Sequence, residues 1–252
     1  MELLVVSLAS LLAGFIDAIV GGGGLVLTPA LFATFPAAHP ATLLGTNKSA
    51  SIWGTAVATW QFNRRVQMRW AVLLPAAAAG FCFSFAGAAT LTVVPADLLR
   101  DLLPIVLVAL LIYTLAKKDL GRHHAPRLEG RPEVLAACAI GAGIGFYDGF
   151  FGPGTGSFFV FLFVRVLGYD FLNASASAKL LNVSTNLAAL ILFGFTGHVW
   201  WHFALALAAS NIAGSLLGTY MALRHGAGFV RIVFIGVVAA LVFKTGYDAW
   251  IR

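Results

Sequence analysis

The chain has 252 residues, of which 60% are hydrophobic and only 10% are charged, whereas a soluble domain carries roughly 25% charged residues. So little polar surface excludes a soluble fold and predicts an integral membrane protein with about eight to ten short spans. The formal net charge of +6 does not indicate a nucleic-acid partner. Lys and Arg concentrate in the short loops 63–69 and 117–131, as they do in the cytoplasmic loops of membrane proteins.

Apolar segments predict helices along the whole chain. In the first half they lie at about 3–20, 24–36, 41–62, 70–94 and 99–116. In the second half they lie at about 133–151, 157–168, 172–195, 201–223 and 229–249. This pattern predicts an all-α, polytopic membrane protein with a first membrane repeat (1–117), a cytoplasmic basic loop (118–132) and a second membrane repeat (133–252). Segments 24–36 and 157–168 are short for a hydrocarbon core of ~30 Å, so each either spans fully or forms a re-entrant hairpin.

The two halves are copies of one unit. A shift of 131 residues superposes them without a gap from Gly14 to about Lys117. The polar and glycine matches pair Gly14, Asp17, Gly21, Gly23, Lys48, Trp70, Gly87 and Arg100 with Gly145, Asp148, Gly152, Gly154, Lys179, Trp201, Gly218 and Arg231. Each unit is expected to cross the membrane an odd number of times, so the second would be inverted relative to the first. Inverted repeats are typical of transporters.

A glycine-rich break follows the first segment of each half. The stretches are "GFIDAIVGGGGLVLTP" (14–29) and "GFYDGFFGPGTGSFFVF" (145–161). Such breaks stop a helix and leave bare backbone N–H groups at the start of the next one, where anions are favoured. Gly22, Gly23 and Gly154 are therefore candidate binding positions, as in other broken-helix transporters. The alternative is that glycines only allow close helix packing, as in "GAGIGFYDG" (141–149). A dinucleotide-binding loop is excluded because no βαβ context exists.

Four ionisable residues lie inside apolar stretches, namely Asp17, Lys48, Asp148 and Lys179. A charge at mid-bilayer costs at least ~2.5–3.5 kcal/mol, so it normally faces a partner or a water-filled cavity. One interpretation is two structural Asp–Lys pairs, each fastening the first segment to the third within one half. The other is that Lys48 and Lys179 converge from opposite sides and bind an anionic substrate. The neighbouring polar residues that would help are Thr46, Asn47, Ser49, Ser175, Ser177 and Asn182.

The two aspartates receive a different prediction from the lysines. Asp17 and Asp148 would repel an anion, so we expect a structural or proton-coupling role for them. The tryptophans that begin the fourth segments, Trp70 and Trp201, are predicted membrane-interface anchors. The cysteines and histidines show no metal-ligand spacing, and no nucleophile lies beside a base. The chain is therefore expected to be neither an enzyme nor a metal or cofactor protein.

The motifs together resemble one family. The doubled glycine-rich stretch with "GTNK" (45–48) and "ASAKLLN" (176–182) is similar to the sulfite exporter TauE/SafE family, the TSUP transporters of the bacterial inner membrane. The resemblance covers nearly the whole chain. It favours Lys48, Lys179, Asn47 and the glycines as the site, although Pro153 and Thr155 interrupt the second glycine motif.

The resemblance also implies a function. A secondary transporter, an exporter or facilitator, would carry a small anion such as sulfite, sulfoacetate or another organosulfonate, acting in the lipid bilayer as a monomer or homodimer. An anion channel and a transporter of small carboxylates stay open as alternatives. Which anion moves, in which direction and with which coupling ion also stays open.

We expect residues 2 and 252 on the outer face and the loop 117–131 in the cytoplasm, because of the odd crossing number and the Lys/Arg bias. In a background lacking Cys82 and Cys138, single cysteines at positions 2 and 252 should react with an impermeant maleimide on intact cells. A cysteine at position 124 should react only after the cells are opened. Labelling of position 124 on intact cells would contradict this topology.

Overall fold

A computed structural model describes residues 1–91 and 124–250, with the side chains in those ranges other than 238 and 240–250. The helices are α1 (Glu2–Val20), α2 (Gly24–Thr34), α3 (Pro40–Asn63), α4 (Trp70–Thr90), α5 (Arg131–Phe150), α6 (Thr155–Leu162), α7 (Phe171–Phe195) and α8 (Trp201–Trp250). A π-helical turn, Phe163–Leu167, extends α6. The all-α prediction is confirmed over these ranges, and the predicted segment 99–116 lies outside them.

Much of the helical surface suits contact with lipid. Within the described residues, five helical stretches are long and apolar enough to cross a membrane: Glu2–Val20, Trp70–Thr90, Arg131–Phe150, Phe171–Phe195 and Trp201–Val237. Large apolar side chains stand exposed along them, among them Leu4, Leu8, Phe83, Leu135 and Leu205. Exposed apolar surface on this scale fits a bilayer rather than water. The chain is a multi-pass membrane protein.

The helix boundaries follow the sequence repeat. Three helices of the first half, α2, α3 and α4, begin at Gly24, Pro40 and Trp70. Their counterparts α6, α7 and α8 each begin 131 residues later. The predicted break between 223 and 229 corresponds to Gly226, whose φ of 71° and ψ of −166° interrupt α8. The inverted orientation of the two halves and the division at 117 and 132 stay predictions.

The two short helices do not cross the membrane on their own. Helix α2 has 11 residues and α6 has eight. At 1.5 Å per residue α2 is about 16 Å long and α6 is about 12 Å, or at most about 20 Å with the five-residue π-helical turn that extends it, and both lie below the ~30 Å of the hydrocarbon core. Their short length favours the re-entrant alternative for both segments.

Each half packs mainly against the other. Helix α4 packs most extensively on α5, and α1 on α8. Small residues permit this approach, because a Cβ at Gly14 would clash with the backbone of Asn211 and one at Gly145 with the backbone of Gly80. The sequence alternative in which glycines serve close packing is thus correct for these positions.

Two buried serines connect the halves at equivalent repeat positions. The Ser84 hydroxyl donates to the Thr185 carbonyl at 2.9 Å, and the Ser215 hydroxyl donates to the Gly54 carbonyl at 2.6 Å. Each bond joins the fourth helix of one half to the third helix of the other. The four buried groups are thereby satisfied without water.

A buried carboxylate joins the loops at one end of the bundle. Glu133, at the start of α5, has no exposed surface. Its Oε1 accepts from Arg69 Nη1 at 2.9 Å and from the Tyr169 hydroxyl at 2.6 Å. Burial, followed by this hydrogen bond to Glu133, raises the pKa of Tyr169. The phenol therefore stays protonated and remains a donor to the carboxylate at neutral pH.

Replacing Gly145 by Ala should lower the melting temperature of the purified protein, because the new Cβ meets the Gly80 carbonyl oxygen at 2.6 Å. Overpacking of this kind costs about 1–3 kcal/mol. The matched control is Gly143→Ala in the same helix, where nothing lies within 4 Å of an added Cβ. That variant should be unchanged or more stable by up to about 1 kcal/mol. Equal melting temperatures for the two variants would contradict the packing described here.

Candidate functional site

The two glycine-rich breaks meet in the interior. Helix α1 ends at Val20 and is followed by the capping residue Gly21, whose φ of 80° is left-handed, a conformation that favours glycine. A Cβ at Gly21 would clash with the backbone of Gly156 near the start of α6. Ser157 donates its backbone N–H to the Gly21 carbonyl and its hydroxyl to the Val20 carbonyl, both at 3.1 Å. These bonds satisfy carbonyls at the end of α1 and hold the two breaks against each other.

Two buried ion pairs lie beside these breaks. Lys48 Nζ of α3 is 2.6 Å from Asp148 Oδ1 of α5. Lys179 Nζ of α7 is 3.3 Å from Asp17 Oδ2 of α1 and also donates to the Asp17 backbone carbonyl. Lys48 and Asp148 are 4% and 3% exposed, and Lys179 is fully buried. The charges compensate each other, as expected for ionisable residues inside a membrane protein.

The pairing crosses between the halves. Each lysine contacts the aspartate of the other repeat, 100 residues away for Lys48 and 162 for Lys179. The expectation that each pair fastens the first and third segments within one half was therefore wrong. Gly152 makes room for one of the crossed pairs, since a Cβ there would lie 3.2 Å from Lys48 Nζ.

The two pairs differ in their hydrogen bonding. Asp17 Oδ1 accepts the backbone N–H of Gly23 at 3.3 Å, at the N-terminus of α2, where negative charge is favoured. Asp148 Oδ2 is buried and, among the described residues, has no hydrogen-bond partner. The counterpart of Gly23 in the second half is Gly154, and its N–H makes no bond to Asp148 Oδ2.

A small polar cavity of about 30 Å³ lies between the breaks and the ion pairs. It is lined by Asp17, Gly21, Gly24, Asn47, Lys48, Ser51, Asp148, Gly152, Gly154, Thr155, Gly156, Asn182 and Asn186. A water molecule needs roughly 10–15 Å³ by this measure, so the cavity has room for about two waters. Both halves contribute to it, and none of the described lining residues is aromatic.

Most of the predicted site residues come together here. Asn47, Lys48, Asp17, Asp148, Gly154 and Asn182 line the cavity. Two further predicted residues contact the Asp17 carboxylate that lines the cavity. Lys179 forms an ion pair with it, and Gly23 donates its backbone N–H to it.

Three predicted residues lie elsewhere. Thr46 accepts the Trp200 N–H at 3.0 Å and donates to the carbonyl one turn earlier in α3. Ser177 donates to the Asn173 carbonyl at 2.8 Å. A Cβ at Gly22 would meet Val237 at 3.1 Å, away from the cavity.

Three polar residues of the cavity were missed by sequence reasoning, namely Thr155 in the second glycine-rich break and two helical residues, Ser51 and Asn186. Ser51 lies three positions after Lys48 on α3, and Asn186 lies seven positions after Lys179 on α7. Helix periodicity places residues at i, i+3 and i+7 on one face. The spacing from each lysine could therefore have identified both. Among the described residues, no cluster of three or more His, Cys, Asp or Glu could hold a metal ion.

Broken helices that meet at a polar, charge-lined cavity within apolar helices define a membrane protein with an internal site. The chain matches the family Sulfite exporter TauE/SafE over residues 6–245, and it belongs to that family. It is 37% identical over 241 residues to "Probable membrane transporter protein YfcA" of Escherichia coli strain K12, covering 95% of this chain and 88% of that protein.

Further bacterial relatives are similar over comparable lengths. "Probable membrane transporter protein ORF9" of Sinorhizobium sp is 36% identical, with 94% of this chain and 89% of that protein covered. A "Probable membrane transporter protein" of Haemophilus influenzae is 34% identical, with 94% and 91% covered. No solved structure matches the chain significantly.

A double-mutant cycle should distinguish crossed pairing from pairing within a half. Lys48→Gln alone leaves the Asp148 charge buried without compensation, at a cost of about 3–5 kcal/mol. Lys48→Gln with Asp148→Asn removes both charges and should recover at least about 1 kcal/mol relative to the sum of the single changes. Thermal unfolding in one detergent measures all of these variants.

The matched control replaces both charged residues of one half, Lys48→Gln with Asp17→Asn. These residues are partners only if pairing lies within the half, and in the structure each forms its ion pair with another residue. This double variant should therefore recover less than the crossed pair. Recovery in this control, and none in the crossed pair, would overturn the pairing described here.

Proposed function

We propose that this protein is a secondary transporter of a small sulfur-containing anion, such as sulfite, sulfoacetate or another organosulfonate, with Lys48 and Lys179 as the anion-binding groups. The observation that carries the proposal is the crossed pairing of two buried lysines with two aspartates beside a polar cavity. The family name and the transporter names of the relatives support the same direction.

The charges of the site would allow a substrate anion to replace an aspartate carboxylate at a lysine. The site holds two lysines and two aspartates, so its formal charge is zero before substrate binds. A carboxylate and a sulfite or sulfonate group offer a lysine the same kind of oxygen acceptor. An entering anion can therefore replace an aspartate at Lys48 without leaving the ammonium group unpaired. Asn47, Ser51 and Asn182 at the cavity would supply further donors.

The small volume of the site favours a carrier over a channel. A cavity of about 30 Å³ holds about two waters and no larger anion. Substrate can enter only when an ion pair opens. Because each pair joins the two halves, its opening would be linked to movement of one half relative to the other, as alternating access requires.

The relatives and the architecture support a place in the bacterial inner membrane. The relatives named above are from bacteria. Spanning proteins of the bacterial outer membrane are β-barrels, whereas the described parts of this chain are helical. We therefore assign the protein to the inner membrane as part of the same proposal.

The test is ligand-dependent thermal stabilisation of the purified protein with sulfite, methanesulfonate, sulfoacetate, chloride and acetate. A ligand at 100 times its Kd stabilises the folded state by about 2.7 kcal/mol. We expect the sulfur oxyanions to raise the melting temperature most. Stabilisation by acetate alone would instead indicate a carboxylate transporter. A passive chloride current through the reconstituted protein, without stabilisation by any oxyanion, would indicate a channel.

Removing a lysine should abolish the response to anions. The informative comparison is Asp148→Asn against Lys48→Gln with Asp148→Asn, because the aspartate is already neutral in both and only the lysine differs. The first should keep anion-dependent stabilisation, and the second should lose it. Lys48→Arg and Lys179→Arg should retain part of it, because a planar fork replaces a compact point charge. Wild-type affinity in Lys48→Gln and Lys179→Gln would refute a direct role for the lysines.

A further inference from the structure

Among the described residues, Lys48 is the one hydrogen-bond partner of the Asp148 carboxylate. Its Oδ1 contacts Lys48 at 2.6 Å. Its Oδ2 is buried and, in the described part of the chain, accepts no hydrogen bond. The residue is only 3% exposed. An ionised carboxylate in this position, without the ammonium group, would be a largely desolvated charge that no described residue compensates, a state that proteins avoid by taking up a proton.

Asp17, at the equivalent repeat position, does not share this isolation. Its Oδ1 accepts the Gly23 N–H, and it also benefits from the positive end of the α2 dipole. Its side chain is 14% exposed, against 3% for Asp148. If Lys179 moves away, Asp17 keeps a hydrogen bond, a favourable helix dipole and partial exposure, so its surroundings differ from those of Asp148.

We propose that Asp148 is the proton-coupling residue and that one proton binds there for each anion that displaces it from Lys48. This inference rests on the proposed function. The anion forms its contact with the Lys48 ammonium group, the Lys48–Asp148 contact breaks, and a proton from the aqueous phase facing the open cavity binds Asp148. The anion and the proton then leave together on the other side of the membrane. A monovalent anion would then move with no net charge.

Among the described residues, the ionisable groups around Asp148 are already paired or engaged. Lys48 faces it from α3, and Asp17 and Lys179 hold each other across the same cavity. The Tyr147 hydroxyl donates to the Pro153 carbonyl at 2.6 Å and is thereby engaged. Of the elements that pack against α5, α4 and α6 contain no Asp, Glu, Lys, Arg or His, α7 contributes Lys179, and the π-helical turn contributes the exposed Arg165. The single thiol of α4, Cys82, is exposed.

The test measures the Kd of methanesulfonate and isethionate, which stay ionised throughout, at about pH 6 and about pH 8. For the wild type the Kd should increase by up to about tenfold for each pH unit, because binding takes up one proton. Calorimetry in Tris and in imidazole, which contain no competing oxyanion, should independently report uptake of about one proton per anion bound. This second measurement needs no variant.

Variants of the two aspartates, which occupy equivalent repeat positions, complete the design. Asp148→Asn is neutral at every pH, so its Kd should be independent of pH and at least as low as that of the wild type at pH 8. Asp17→Asn should keep the pH dependence of the wild type.

The failures are distinguishable from one another. Binding with a pH-independent Kd and no proton uptake in the wild type would overturn the inference and leave the proposed function standing. A pH dependence lost in Asp17→Asn and kept in Asp148→Asn would assign the proton to the other aspartate and also overturn it. No binding of either anion by the wild type at either pH, together with no stabilisation by sulfite or sulfoacetate, would refute the proposed function itself.

Discussion

Two lysines and two aspartates buried in an apolar bundle impose a strict electrostatic condition, because an uncompensated charge there costs several kcal/mol. The structure meets this condition because each lysine forms an ion pair with the aspartate of the other repeat, Lys48 with Asp148 and Lys179 with Asp17. Each half is therefore incomplete electrostatically without the other. The close packing of α1 on α8 and of α4 on α5 serves the same end, since it brings the two lysine-bearing helices within reach of the opposite aspartates.

Glycine has two separate roles in this arrangement. Gly14 and Gly145 lie in continuous helices and allow another backbone to approach. Gly21, Gly152 and Gly154 have left-handed φ angles of 80–89° and create the breaks where backbone groups turn toward the site. Packing and binding were alternative explanations of the same motif at the sequence level. The structure assigns them to different glycines, so both explanations hold for parts of the motif.

The sequence was sufficient to predict the helices of the described residues and to identify the buried charged residues, because polar groups and glycines stand out in apolar segments. It could not determine which lysine pairs with which aspartate, because that contact depends on packing between helices distant in sequence. The aspartate nearer in sequence to each lysine was the simpler prediction. Thr46 and Ser177 were harder to assign for another reason. A helical Thr or Ser can satisfy its hydroxyl on the carbonyl one turn earlier, as both do. Their polarity therefore gives no information about a cavity.

The crossed pairing also has a consequence for how the chain is made. The ribosome delivers the first half to the membrane before α5 and α7 exist, so Asp17 and Lys48 enter it before either native partner has been synthesised. Until residues 148 and 179 follow, the nascent chain has to keep these two charges at the lipid–water boundary, near each other or against the insertion machinery. Final burial of the early helices thus waits for the late ones. A ribosome that stalls between the halves would leave a product that quality-control proteases can recognise by its unpaired charges.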